Sequence, residues 1–217
     1  LMAGGLPTSA HMPGDTEDAT SELASGLKDL SAKDTVIAVS ASGSTPFTLE
    51  AARLANEAGA AVIGIANNAD APLVKASRHA ILLPTPPEVL SGSTRLGAGT
   101  AQKIALNTLS TLMALDLGHI YDGMMVNLRA DNIKLRDRAR RIVCAIADVS
   151  EAAAANALDV SGGNVKLAAL LAAGAADKAQ AITLLEESGG HLRPALDKIR
   201  AETRVHIKTR QTERTHT

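Results

Sequence analysis

The sequence predicts an α/β fold with a parallel sheet, followed by an all-helical domain. Three apolar runs of strand length lie in the N-terminal half, at Val36–Val39, Val62–Ala66 and Ala80–Leu83. A segment with helical spacing of its apolar residues separates the first two runs. Strands that alternate with helices are typical of right-handed crossovers in a parallel sheet. From Asn132 onward the apolar residues recur at helical spacing only, which predicts that the second domain is all helical.

Each helix of the predicted α/β part has its own signal in the chain. Pro46 opens the helix after the first strand, because proline is favoured at the first helical position. Pro72 falls in the first turn of a short helix predicted within residues 70–78. A long apolar helix is predicted from Thr94 to Leu117, and Gly118 ends it.

The C-terminal part is predicted to consist of four helices. Five apolar residues share one face of the first: Leu135, Ala139, Ile142, Val143 and Ile146. The other three are predicted at Val165–Ala173, Ala176–Ser188 and Leu192–Ile199. The domains are therefore predicted to be residues 1–131 and 132–200. Residues 201–217 are polar without a periodic apolar face, which predicts a disordered tail.

The composition of the 217-residue chain excludes several classes of protein. The core must consist of Ala, Leu, Ile and Val, because there is one Tyr, one Phe and no Trp. A net charge of −1 argues against a nucleic-acid partner. The single cysteine, Cys144, gives no sign of an oxidising compartment. The apolar stretch Ile104–Leu115 is too short to cross a bilayer of about 30 Å. The composition thus favours a cytoplasmic protein without a membrane partner.

A hydroxyl-rich loop, Ser40 to Thr45, lies between the first predicted strand and its helix. Anions bind well at such a position, because backbone N–H groups at a helix N-terminus have no intrahelical partner. Capping by Thr45 and Pro46 is the alternative, but it leaves Ser40, Ser42 and Ser44 without a role. The loop matches neither the dinucleotide fingerprint nor the P-loop. We therefore expect a phosphorylated small molecule to bind this loop.

Two glutamates are further candidates, each with an ordinary alternative. Glu17 lies in the acidic segment Gly14–Asp18, and such segments are most often solvated loops. Glu88 follows two prolines and precedes a serine-rich turn, where a carboxylate is also favoured by the helix dipole. Its other possible role is proton transfer in the pocket that Ser42 faces. The six histidines show no metal-ligand spacing, so no metal site is predicted.

Two motifs resemble the N-acetylmuramic acid 6-phosphate etherases of the sugar isomerase (SIS) superfamily. They are SGSTP, at Ser42–Pro46, and EVLSGSTRLGAGTAQKIALNTLST, at Glu88–Thr111. The resemblance continues through NIKLRDRA and into SGGNVKLAALLAAG and LLEESGGHLRPAL, and it covers nearly everything from Ala3 to about Ile199. It implies a SIS domain that is truncated at its N-terminus and followed by a small helical domain.

The resemblance implies a carbon–oxygen lyase of amino sugar catabolism and cell-wall recycling that needs no cofactor. The family cleaves the D-lactyl ether of N-acetylmuramic acid 6-phosphate to N-acetylglucosamine 6-phosphate and D-lactate, with two glutamates that transfer protons. Glu17 takes the place of one of them, after the Ala3–Gly5 segment. The other, the proton donor, and a first sugar-binding loop lie upstream of that segment in the family and are not in this chain. The predicted substrate-binding residues are Ser42, Gly43, Ser44, Thr45, Glu88 and Ser93.

Departures from the family pattern and other functions of SIS domains leave alternatives open. Ser44 stands where the family usually has arginine and Gly97 where it usually has lysine, which implies weaker phosphate binding. SIS domains also serve as phosphosugar sensors that do not turn the ligand over. A third alternative is an aldose–ketose isomerase with Glu88 as the base. A homodimer is expected, because the helix Thr94–Leu117 is too apolar for one thin sheet to cover and the family pairs its SIS domains.

Overall fold

The computed structural model of the chain describes residues 1–3, 16–128 and 130–201. The chain forms two compact units, Leu1–Thr108 and Leu109–Thr217, which divide within a helix. The predicted domain boundary after residue 131 stays a prediction. Of the predicted tail, residues 202–217 lie outside the described residues, and residue 201 belongs to a helix.

The first unit contains a three-stranded parallel sheet in the order β1-β2-β3. The strands are β1 (Thr35–Val39), β2 (Ala61–Ala66) and β3 (His79–Leu82). Thr35 pairs with Ala61, and Ile63 pairs with His79. The helices of this part are α1 (Leu23–Gly26), α2 (Pro46–Glu57) and α3 (Pro72–Ala76). The three predicted strands, their parallel arrangement and the helices that begin at Pro46 and Pro72 are confirmed.

The core of the first unit is aliphatic, as the composition predicts. Its buried cluster consists of Ala38, Ala52, Ala55, Ala60, Val62 and Leu73. Small side chains on the inner face of α2 let the helix backbone approach the sheet closely. The helix and the sheet therefore pack together without an aromatic residue in this cluster.

The long helix α4 (Gly97–Asp116) begins three residues later than predicted and ends one residue earlier. Glu88 accounts for the later start, because its carboxylate accepts hydrogen bonds from the amides of Leu96, Gly97 and Ala98. Ala98 is the one buried residue of α4. Most of its large apolar side chains are exposed, including Ile104, Leu112 and Leu115.

The described residues of the second unit that follow α4 form a short hairpin and five helices. The strands β4 (Ile120–Tyr121) and β5 (Met124–Met125) pair antiparallel. The helices are α5 (Ile133–Ala147), α6 (Glu151–Ser161), α7 (Val165–Ala172), α8 (Lys178–Glu187) and α9 (residues 192–201). The sequence predicts α5, α7, α8 and α9, whereas the hairpin and α6 are additions. Side chains of Asn132, Ser150, Asn164 and Asp177 cap the first four of these helices.

In the described part of the chain, no helix combines the length and the apolar character that a membrane crossing requires.

Candidate functional site

The hydroxyl loop, Ser40–Thr45, follows β1 at the carboxyl edge of the sheet and leads into α2. Ser40 is buried, with 8% of its surface exposed, whereas Ser42 and Ser44 are exposed. Ligands of open α/β sheets bind outside the carboxyl ends of the strands. The loop thus presents two hydroxyls to solvent at the edge where such ligands bind.

The hydroxyls of this loop form one hydrogen-bonded cluster. Ser40 Oγ lies 2.8 Å from Thr45 Oγ1 and 3.3 Å from Ser42 Oγ. Ser44 Oγ donates to Ser42 Oγ over 3.1 Å. Buried Ser40 therefore anchors the cluster on the protein side, and the exposed serines Ser42 and Ser44 lie on the solvent side.

Two backbone amides point toward the same hydroxyls. Gly43 N donates to Ser40 Oγ over 3.0 Å, and Ser44 N donates to Ser42 Oγ over 3.2 Å. Thr45 occupies the N-cap position of α2, but its hydroxyl caps no helix amide and bonds to Ser40 instead. Capping therefore explains where Thr45 lies, but not what its hydroxyl does.

Gly43 lets the loop lie directly against the start of α3. Its φ of +67° is in the left-handed region, which favours glycine. A Cβ at this position would lie 2.4 Å from Cβ of Ala71 and 3.0 Å from Cβ of Ala66. The amide of Leu73 donates to the Gly43 carbonyl over 3.0 Å. No larger residue could replace Gly43 without moving the loop.

Glu17 lies beside the N-terminus of α2. The amide of Phe47, in the first turn of that helix, donates to the Glu17 carbonyl over 3.0 Å. Glu17 is exposed. The structure thus brings the Glu17 backbone next to the end of the hydroxyl loop, although the two segments lie far apart in the chain. Residues 4–15 lie outside the described residues. They include Gly4 and Gly5 of the Ala3–Gly5 segment, on which the assignment of Glu17 partly depends.

Glu88 and Ser93 form a second cluster, at the start of α4. Burial alone would raise the pKa of the Glu88 carboxyl, but bonds from the Leu96 amide, the Ser93 hydroxyl and the amides of Ala98 and Gly97 outweigh it and lower that pKa. Among the described residues, no hydrogen bond joins this cluster to the hydroxyl loop. Its geometry is that of a helix cap, and a low pKa makes a carboxylate a weaker base.

Sequence reasoning missed three amide side chains at the carboxyl edge of the sheet. Asn67 follows β2 and accepts a hydrogen bond from Nε2 of Gln102 over 2.9 Å. Asn68 donates to the Ser42 carbonyl over 3.3 Å. The available signal was the position of two consecutive asparagines directly after a buried strand. Among the described residues, no group of three or more His, Cys, Asp or Glu side chains could hold a metal ion.

Comparison with known proteins gives the family. A family model described as the SIS domain matches residues 12–115. Three curated relatives are named N-acetylmuramic acid 6-phosphate etherase. The one from Deinococcus radiodurans is 47% identical over 201 residues, which cover 90% of this chain and 65% of the relative. The one from Streptomyces avermitilis is 45% identical over 199 residues, which cover 90% and 64%.

The third relative, from Geobacillus sp. strain WCH70, is 39% identical over 201 residues, which cover 90% of this chain and 67% of the relative. The chain thus spans less than two thirds of the length of the first two relatives and about two thirds of the third. Identity at this level over nine tenths of a chain indicates common descent and a common fold. The chain therefore belongs to the N-acetylmuramic acid 6-phosphate etherase family, and its residues 12–115 match the SIS domain.

Proposed function

We propose that the protein is an etherase that cleaves N-acetylmuramic acid 6-phosphate to N-acetylglucosamine 6-phosphate and D-lactate. The observation that carries this proposal is the 39–47% identity to relatives that bear this name, over about 90% of the chain. The exposed serine hydroxyls at the start of α2 support it, because they suit the phosphate of such a sugar. A cytoplasmic location is proposed with it, since the one cysteine is free, as is usual in a reducing compartment.

The phosphate is proposed to bind at the hydroxyl loop. Ser42 and Ser44 are exposed and lie at the N-terminus of α2, where the helix dipole favours an anion. A hydrogen bond to a charged acceptor contributes about 1.5–3 kcal/mol. The phosphosugar is proposed to lie with its carbon chain toward the segment of Glu17.

Glu17 is proposed as the base of the elimination step. In the open-chain sugar the aldehyde acidifies the proton on carbon 2, and the Glu17 carboxylate takes up that proton. The bond between carbon 3 and the ether oxygen then breaks, and lactate leaves with the electron pair and receives a proton. Water then adds across the double bond of the unsaturated aldehyde, with its hydroxyl going to carbon 3 and a proton returning to carbon 2, and this gives the product sugar. The Phe47–Glu17 hydrogen bond supports this role, because it holds the segment beside the loop.

Release of D-lactate tests the reaction and the role of Glu17. We expect the protein in its full natural length to release D-lactate from the muramic acid phosphate, and Glu17→Gln to lower kcat by at least about a hundredfold, since it removes a general base. Asp18→Asn is the matched control, because it removes a charge from the neighbouring exposed residue. We expect that variant to keep its activity. Binding of the phosphosugar without release of lactate would reject the etherase and leave a phosphosugar sensor.

A homodimer is proposed from the exposed apolar surface of α4. Leu112 and Leu115 are 57% and 53% exposed, and Ile104 is 57% exposed. Soluble proteins rarely leave contiguous apolar patches of this kind uncovered, and such patches commonly mark interfaces. Closed two-fold dimers are the commonest assemblies of soluble proteins. A second copy of the chain is therefore the proposed partner of this helix.

A further inference from the structure

We propose that Asn67 is a positioning residue that orients the hydroxyl loop toward its phosphate. Its side chain and backbone tie the loop to β3 and α4, which fixes the direction in which the loop amides and hydroxyls point. The proposal deepens the proposed function, because it assumes that the loop binds the phosphate. Asn67 is assigned no contact with the substrate.

Asn67 makes hydrogen bonds to three separate segments. Its amide N–H donates to the Ala41 carbonyl over 3.0 Å. Its Nδ2 donates to the Leu83 carbonyl over 2.8 Å, and its Oδ1 accepts from Gln102 Nε2 over 2.9 Å. Ala41 lies in the hydroxyl loop, Leu83 follows β3, and Gln102 lies on α4. One half-buried residue, through its backbone amide and its side chain, therefore connects all three at the carboxyl edge of the sheet.

Three consecutive carbonyls of the hydroxyl loop are held from the side of the β2–α3 segment. The Ala41 carbonyl accepts from the Asn67 amide, and the Gly43 carbonyl accepts from the Leu73 amide. Between them, the Ser42 carbonyl accepts from Asn68 Nδ2 over 3.3 Å. In a planar trans peptide the C=O and the following N–H point in opposite directions. The amides that follow these carbonyls therefore point away from the β2–α3 segment.

The hydroxyl cluster lies on the side toward which those amides point. The amides of Gly43 and Ser44 donate to the hydroxyl oxygens of Ser40 and Ser42, so amides and hydroxyls share one face of the loop. An anion that meets this face finds serine hydroxyls whose oxygens are held in place by these amides. The side-chain bonds of Asn67 hold its backbone, and the backbone amide in turn holds the Ala41 carbonyl. Loss of the side-chain bonds would loosen that amide, let the Ala41–Ser42 peptide rotate and turn donors away from the anion.

The side-chain amide of Asn67 suits this position because it both donates and accepts. In Asn67→Asp the side chain keeps its size and an oxygen that accepts from Gln102. Its second carboxylate oxygen, however, faces the Leu83 carbonyl, so two acceptors meet and the hydrogen bond is lost. A half-buried polar group that loses its partner carries a desolvation cost. Gln102 lies on α4, whose first amides Glu88 caps. Asn67 thus also fixes the hydroxyl loop relative to the Glu88 motif.

Asn67→Asp and Gln102→Met test the proposal, with Asn56→Ala as the matched control. Asn56 also donates from Nδ2 to a backbone carbonyl, that of Ala76, over 2.9 Å, but it lies at the far end of α2. We expect Asn67→Asp to weaken binding of N-acetylglucosamine 6-phosphate about tenfold in calorimetry, as loss of one such bond implies. Asn56→Ala should leave this affinity unchanged, although it lowers the thermal midpoint. With turnover, Asn67→Asp should raise KM and change kcat little.

Hydrogen exchange of the ligand-free protein separates positioning from the proposed function. We expect faster exchange at residues 42–44 in both test variants than in the wild type at the same pH, and no such change in the control. For Asn67→Asp the difference should shrink in acid, because the protonated carboxyl again donates to Leu83. Unchanged exchange at residues 42–44 would overturn the positioning role, whether or not the sugar binds. Faster exchange in a protein that binds no phosphosugar would uphold the role and refute the proposed function.

Discussion

Glu88 belongs to the most specific motif of the chain, yet its contacts are those of a helix cap. Its carboxylate accepts from the amides of Leu96 and Gly97 over 3.2 and 3.0 Å. An anion at this position is stabilised by the helix dipole. The isomerase alternative requires Glu88 as a base, and the lowered pKa of its carboxyl disfavours that role. Among the described residues, no carboxylate bonds to the exposed serines of the hydroxyl loop, so this loop is the better anion site.

The cap implies a defined pH dependence of stability. Because the pKa of Glu88 is lower in the folded chain, its contribution to stability is present above the ordinary glutamate pKa of about 4.3 and is lost as the pH falls through the folded value. Glu88→Gln should therefore lower the thermal midpoint at pH 7 and differ little from the wild type in acid. Thermal unfolding across this pH range measures the difference.

Glu22→Gln serves as the control for this experiment, since Glu22 is exposed at the start of α1. It should change the midpoint little at any pH. The role of the charged cap would be contradicted if the thermal midpoint of Glu88→Gln stayed below that of the wild type by the same amount from pH 7 to acid. A difference that does not depend on the charge of the carboxylate would not change with pH.

At the scale of elements, α4 is the least covered helix of the described chain. Ala98 is its one buried residue, so its packing does not explain its apolar sequence. The proposed dimer gives that sequence a role. Standard interfaces bury about 800 Å² on each partner, and an exposed apolar helix of this length can supply much of that area.

The double variant Leu112→Glu and Leu115→Glu tests the dimer. Both side chains lie on one side of α4, one turn apart, and a charge in an apolar interface costs more than it does in water. We expect the dissociation constant of the dimer to rise at least about a hundredfold, because two side chains that anchor the interface are lost. Light scattering at micromolar concentration should give the mass of a dimer for the wild type and of a monomer for the variant.

Val160→Glu is the matched control, because Val160 is an exposed apolar residue on α6. It should leave the mass of the dimer unchanged. A wild-type chain that is monomeric at these concentrations would contradict the dimer directly.

At the scale of the whole molecule, local patterns predicted most of the fold. The apolar runs of β1, β2 and β3 and the prolines that open α2 and α3 are signals within a few residues of the elements they predict. Helix α6 escaped prediction because its alanine-rich sequence has weak apolar periodicity, although Ser150 offers a capping signal. The hairpin of β4 and β5 escaped because two-residue strands leave no alternation to detect.

The candidate site was predictable only in part, for the same reason. The hydroxyl loop is contiguous in sequence, so its residues and its place before α2 could be predicted. The Asn67–Gln102 bond joins residues that are 35 positions apart, and the Phe47–Glu17 bond joins two separate segments. Such contacts follow from the tertiary fold and leave no local pattern. The predicted functions of all the site residues stay predictions: Glu17, Ser42, Gly43, Ser44, Thr45, Glu88 and Ser93.

The most direct test of the account is calorimetric titration with N-acetylglucosamine 6-phosphate and with the unphosphorylated sugar. We expect the wild type to bind only the phosphorylated sugar. Ser42→Ala with Thr45→Ala should weaken this binding by about a hundredfold or more, because two hydroxyls near the anion are lost. Ser150→Ala, which removes the capping hydroxyl of α6, should bind like the wild type. Equal affinity of the double variant and the wild type would contradict a phosphate site at the hydroxyl loop.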